Sequence, residues 1–183
     1  MRHFSFAIAL SSVILTGGTL EYSVNAKTST STLESNRQIL TNTSTSIYLA
    51  QTNSTASLEQ LVHTQINEYR TKRGLAKLTV DERISNIART HSQNMANGTV
   101  PFSHNGFSER VKAIATMIPY RSAAENVAYN KGYSDPATKA VQGWLNSTGH
   151  RQNIEGNYNL TGIGVALNAK GEYYFTQIFI RSR

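Results

Sequence analysis

Apolar residues return every three or four positions through the middle of this chain, then crowd into two short runs near its end. Leu58, Leu61, Val62, Ile66 and Tyr69 keep helical spacing behind a Ser57-x-x-Gln60 capping box, with Arg70, Lys72 and Arg73 in the last turn and Gly74 as the stop. A second helix is predicted from the cap Asp81, with Ile84, Ile87, Ala88, His91 and Met95 on one stripe and Asn97-Gly98 at its end. A third, from about Phe107 to Thr116, carries Phe107, Val111, Ile114 and Ala115 on one side. Asp135-Pro136 supplies a cap and a first-turn proline for a fourth, whose inner face is Ala137, Ala140, Val141, Trp144 and Leu145. A short fifth helix is expected from Ser147, its side-chain oxygen capping the first turn. Leu160 to Leu167 and Glu172 to Ile180 read as strands joined by the four-residue turn Asn168-Ala-Lys-Gly171, hence an antiparallel hairpin. The second strand is apolar or aromatic on both faces, as in a sheet covered by helices on both sides.

The pattern before residue 57 is different. Met-Arg-His and the apolar run Phe4 to Leu15, followed by Val24-Asn-Ala26, have the form of a secretory signal cut near Ala26. Residues 27–56 are rich in Ser and Thr and poor in large apolar groups, which predicts a disordered spacer. The folded domain is therefore placed at 57–183, with export to the periplasm, cell envelope or medium and no transmembrane span after cleavage. Absence of cysteine excludes disulfides, thiolate metal sites and a thiol nucleophile. The net charge of +7 is spread over scattered basic residues without interleaved aromatics. That argues against nucleic acid and leaves lipid head groups or anionic envelope polymers as partners, with a monomer expected.

Candidate chemistry is sparse. No serine sits in a Gly-x-Ser-x-Gly elbow and no phosphate-binding glycine loop occurs. His91, on an apolar helix face, reads as a core residue bonded to a neighbour. Three groups stand apart: His104 in the loop Pro101-Phe-Ser-His-Asn-Gly-Phe107, Glu125 inside Ala123-Ala-Glu-Asn-Val-Ala-Tyr129, and His150 at about the third position of the fifth helix. A carboxylate among small apolar residues must be paired or hydrogen-bonded. An imidazole at a helix N-terminus is held toward its neutral form, able to accept a hydrogen bond or ligate a metal. Two histidines and an acid could hold zinc or another divalent ion, although no local His-x-x-x-His pair supports it.

Taken together, Phe102-Ser-His104, Ala124-Glu-Asn-Val-Ala-Tyr129, Trp144-Leu-Asn-Ser-Thr-Gly-His150-Arg-Gln-Asn-Ile154, Gly162-Ile-Gly164 and Tyr174-Phe-Thr-Gln177 resemble a CAP-superfamily (SCP/PR-1-like) domain of the compact bacterial type. The resemblance spans about residues 58–181. It implies an α+β fold, an α-β-α sandwich around a central antiparallel sheet. It also implies a cleft in which some members place two histidines, two acids and a divalent metal. His104 matches the first histidine and Glu125 the acid of the Glu-Asn motif. The second acid would fall near Ser147 and is absent; His150 occupies that region, and Tyr174 stands where the last histidine would be. Tyr174 can exchange hydrogen bonds but is a poor zinc ligand. The expected cleft residues are thus His104, Glu125, Asn126, His150, Tyr174 and Gln177, with His104 and His150 as metal candidates. Three functions follow: an exported domain whose polar cleft binds a ligand, with or without a divalent metal; a hydrolase in which Glu125 is the base and His104 and His150 hold the metal; or a module that interacts with envelope polymers or lipid.

Overall fold

The computed structural model describes Arg37, Ile39 and residues 55–183. The chain divides into two units, Met1–Asn42 and Thr43–Arg183, and the sheet with its covering helices belongs to the second. The expected signal at 1–26 and nearly all of the expected spacer lie outside the described residues; within the spacer, Arg37 and Ile39 are helical.

The elements are α1 (55–72), β1 (Thr79–Val80), α2 (Glu82–Ala96), α3 (Phe107–Ala115), β2 (Tyr120–Lys131), α4 (Pro136–Asn146), α5 (Thr148–Glu155), β3 (Leu160–Leu167) and β4 (Glu172–Ser182). Helix α1 is already under way at Thr55, so Ser57 lies inside it and not at its cap. Asp81 and Asp135 cap α2 and α4 as predicted, accepting from the Arg83 and Thr138 backbone N–H groups. Ser147 holds the N-cap position of α5 in extended backbone, but its side chain makes no capping bond.

The sheet order is β1-β3-β4-β2. The β3–β4 hairpin is antiparallel as expected, and so is β2 with β4, whereas the two-residue β1 runs parallel to β3. Both β1 and β2 were missing from the expected elements. Alternate residues of β4 feed two cores. Phe175 and Phe179 join Val62, Ile66, Trp144 and Ile154 under α1, α4 and α5. Ile178 and Ile180 join Ile84, Ala88 and Ile114 under α2 and α3. Helices cover both faces, giving the α-β-α sandwich.

Two glycines set the spacing on the α2 side. A Cβ on Gly162 would lie 2.3 Å from the Ser85 backbone nitrogen, and one on Gly164 only 2.1 Å from that of Arg89. Helix α2 can therefore rest directly on the β3 backbone. Ser92 fastens the contact, its hydroxyl donating to Gly164 O at 2.9 Å and pairing with Thr176 Oγ1 at 2.8 Å.

The outer edge of β3 is sealed where β1 stops. Glu59 of α1, 7% exposed, accepts the Val165 N–H at 3.0 Å and is gripped by the Arg89 guanidinium at 2.7–3.0 Å. At the opposite edge β2 runs outermost. Its carbonyls at Glu125 and Val127 are met by side chains, the Asn153 amide at 3.2 Å and the Trp144 indole N–H at 2.9 Å. These bonds dock α5 and α4 against β2.

Candidate functional site

Consecutive residues of a strand point to opposite faces, and the site is built on that alternation. Glu125 pairs with Ile178 and so faces α2 and α3; Asn126 pairs with Gln177 and faces α4 and α5. The Glu125 side chain is only 1% exposed. Its charge is met by Arg110, which donates from Nε to Oε2 at 2.8 Å and from Nη2 to Oε1 at 2.7 Å, and by His104 Nδ1 at 3.0 Å from Oε1. The carboxylate is thus paired, as its apolar surroundings demanded.

Arg110 does more than neutralise. Its remaining N–H groups reach Asn105 O at 2.9 Å, His104 O at 3.4 Å and His91 Nδ1 at 3.2 Å. One guanidinium therefore fixes the loop that carries His104. Gly106 begins α3 at φ +79°, and a Cβ there would meet Arg110 Nη1 at 3.2 Å. His91 is the core histidine the sequence predicted, 4% exposed. Since it accepts from Arg110 at Nδ1, it donates from Nε2 to Ser103 O at 3.0 Å. Burial first, and then the Arg110 charge, hold its pKa below the usual histidine value.

His150 arrives from the other face. It is the third residue of α5, and Asn126, fully buried, donates to its carbonyl at 3.1 Å. Asn153 donates to Asn126 Oδ1 at 2.9 Å, which ties the helix to the same strand position. The His104 and His150 rings have centroids 6.3 Å apart and tilt by 38°. Burial, and secondarily His104, lower the His150 pKa, favouring the neutral imidazole. His104, Glu125 and His150 are therefore neighbours around the β2 edge. The side chain of His104 is 50% exposed, while Glu125 lies behind it.

The other expected cleft residues sit differently. Gln177 is fully buried; its amide donates to Thr161 Oγ1 at 3.2 Å and its Oε1 has no partner. Tyr174 is half-buried, its ring centroid 5.2 Å from that of Tyr129 and its hydroxyl 3.5 Å from Glu172 Oε2. Arg110 was missed as a site residue, although it lies three positions after Phe107 and four before Ile114, on the apolar stripe of α3. Equally unanticipated is a groove of about 570 Å³ between β2 and α4, lined by Phe102, Tyr129, Tyr133, Lys139, Trp144 and His150 among others.

For a divalent ion of the kind the family resemblance implies, these residues leave at most two protein ligands. Both Glu125 oxygens are occupied by Arg110 and His104, and His104 Nδ1 is committed to the carboxylate. What is left is His104 Nε2 and the His150 ring. Among the described residues no group of three or more His, Asp or Glu is spaced to hold a metal ion.

The family model described as "CAP: Cysteine-rich secretory protein family" matches residues 63–179, a span that takes in β1 to β3, most of β4, α2 to α5 and all of the site. The chain belongs to this family. It does so without a single cysteine. The chain is 37% identical over 145 residues to the uncharacterized protein YkwD of Bacillus subtilis, covering 76% of this chain and 52% of that one. It is 39% identical over 124 residues to the uncharacterized membrane protein YlbC of the same organism, covering 63% and 32%. The chain thus spans about half and about a third of the length of these relatives. Among solved structures, an extracellular protein with an SCP domain from Bacillus anthracis is similar at 29% identity and TM-score 0.58, covering 72% of this chain and 42% of that one. An outer surface protein of Borrelia burgdorferi shares the fold, with TM-score 0.61 at 17% identity over 69% and 94%. No helix of the described residues is long and apolar enough to cross a membrane.

Proposed function

We propose that this CAP-domain protein is exported and binds a ligand at the cell envelope or outside the cell, in the cleft formed by His104, Glu125 and His150. The observation that carries the reading is the clasp in which Arg110 and His104 share the buried Glu125 carboxylate. It positions one half-exposed imidazole beside a second, neutral one, leaving polar nitrogens directed at a ligand with no strong base beside them. Binding is favoured over hydrolysis for the same reason. A general base must be able to take a proton, and the Glu125 oxygens are spent on three strong donors. Export is supported by the apolar run and small-residue site before residue 27, and by the description of the Bacillus anthracis neighbour as extracellular.

The test is fractionation of cells expressing the full chain, with N-terminal sequencing of the product and sedimentation of the purified protein with isolated envelopes. A product that begins near residue 27 and sediments is expected, and the double variant His104→Ala/His150→Ala should lose at least tenfold in envelope affinity. Full-length chain confined to the cytoplasm would overturn export. Undiminished sedimentation of the double variant would overturn the cleft.

A further inference from the structure

Among the described residues the exposed large apolar side chains are Ile39, Phe102, Met117, Tyr129 and Tyr133. Isolated ones need no explanation, but Phe102, Tyr129 and Tyr133, at 51%, 46% and 50% exposure, all line the groove between β2 and α4. Phe102 and Tyr129 have centroids 6.2 Å apart at 54°, so the rings are tilted against one another. They do not make the parallel platform on which flat nucleobases stack in succession. The charged residues lining the groove are Lys131 and Lys139, and no carboxylate lines it. Lys131 faces Glu172 across the strand pair, while Lys139 Nζ stands 4.9 Å over the Tyr133 ring. Neither lysine is in an ion pair among the described residues.

Aromatic faces and two cations specify a ligand with apolar ring faces and anionic groups. An acyl chain offers no ring face. We propose that this groove binds an anionic glycan, its sugar rings lying on Phe102, Tyr129 and Tyr133 and its phosphate or carboxylate groups meeting Lys139 and Lys131. The inference rests on the reading of the neighbouring cleft as a ligand site, since His150 lines both.

The experiment is titration calorimetry of the full chain with a uronate hexasaccharide and, separately, with a glycosylated glycerol-phosphate polymer, the two arms separating carboxylate from phosphate sources. Neutral dextran, poly-L-glutamate and single-stranded DNA are run alongside. Binding of at least one anionic glycan is expected, at least tenfold tighter than any of these three and weakening as salt is raised. Tyr133→Ala/Lys139→Gln changes only exposed side chains, so its melting temperature should match wild type while glycan affinity falls at least tenfold. Failure of both glycans to bind, equal binding of poly-L-glutamate, tighter binding of DNA, or an unaffected variant each overturns the proposal. If glycans fail while envelope sedimentation still depends on His104 and His150, the glycan is wrong and the cleft stands.

Discussion

Two carboxylate–guanidinium pairs bracket the sheet, and they end in different places. At the β3 edge, Glu59 is gripped by Arg89 and spends its remaining capacity on a backbone N–H. Everything it touches is structural. At the β2 edge, Glu125 is gripped by Arg110 with closely similar geometry, but its third partner is the half-exposed ring of His104. The chemistry of the pair is the same; what differs is whether the last link is closed by the fold or left within reach of solvent. The outward-facing partner is what makes Glu125, and not Glu59, part of a candidate site.

The contrast breaks most sharply at the arginines. Arg110→Met leaves a buried carboxylate short of its main counter-charge and should cost about 3–5 kcal/mol in denaturant unfolding. Arg89→Met should cost clearly less, because the Arg89 side chain is 38% exposed against 12% for Arg110 and water can replace it. Equal losses would erase the distinction. Restoring charge balance with Arg110→Met/Glu125→Met should recover part of the stability but none of the envelope binding. On the closed side, Gly164→Ala drives a methyl into the α2 backbone and should cost about 3 kcal/mol, the upper end for overpacking, with binding per folded molecule unchanged.

Asn153→Ala uncovers the Glu125 carbonyl and loosens α5, with an expected cost of about 1–2 kcal/mol and a weakened His150 contribution to binding. Acidification gives a graded effect. His91 and His150 both have lowered pKa values in the fold, so the unfolded chain takes up protons more readily. Their contribution is present above the ordinary histidine value near 6.5 and is lost as pH falls below it. The melting temperature should therefore drop between pH 7.5 and 5, and His91→Gln should flatten that slope. The smallest effect is expected from chelation: excess EDTA should leave the melting temperature and envelope binding unchanged, and a clear fall in either would restore the metal.

What could be read from the sequence tracks the strength of the local signal. The β3–β4 hairpin was legible because Phe175, Phe179, Ile178 and Ile180 are apolar on both faces and a glycine-ended turn separates the strands. Strand β2 was not, because its buried positions are Ala124, Glu125, Asn126, Val127 and Asn130, which do not alternate in hydropathy and of which only Val127 favours a strand. Its buried polar groups are there to hold α4, α5 and Arg110, a tertiary reason that no local window contains. His104, Glu125 and His150 could be placed together only through the family's motif order. Arg110 was concealed among other basic residues, since position on a stripe shows that a side chain turns inward but not which acid it will find.

The two side-chain bonds on the outer carbonyls of β2 have an effect beyond docking the helices. Exposed strand edges invite recruitment by neighbouring molecules, the first step toward fibrils. With an indole and an amide already seated there, an incoming strand must evict both before it can register. A chain crowded with copies of itself is thereby kept from templating its own assembly along that border.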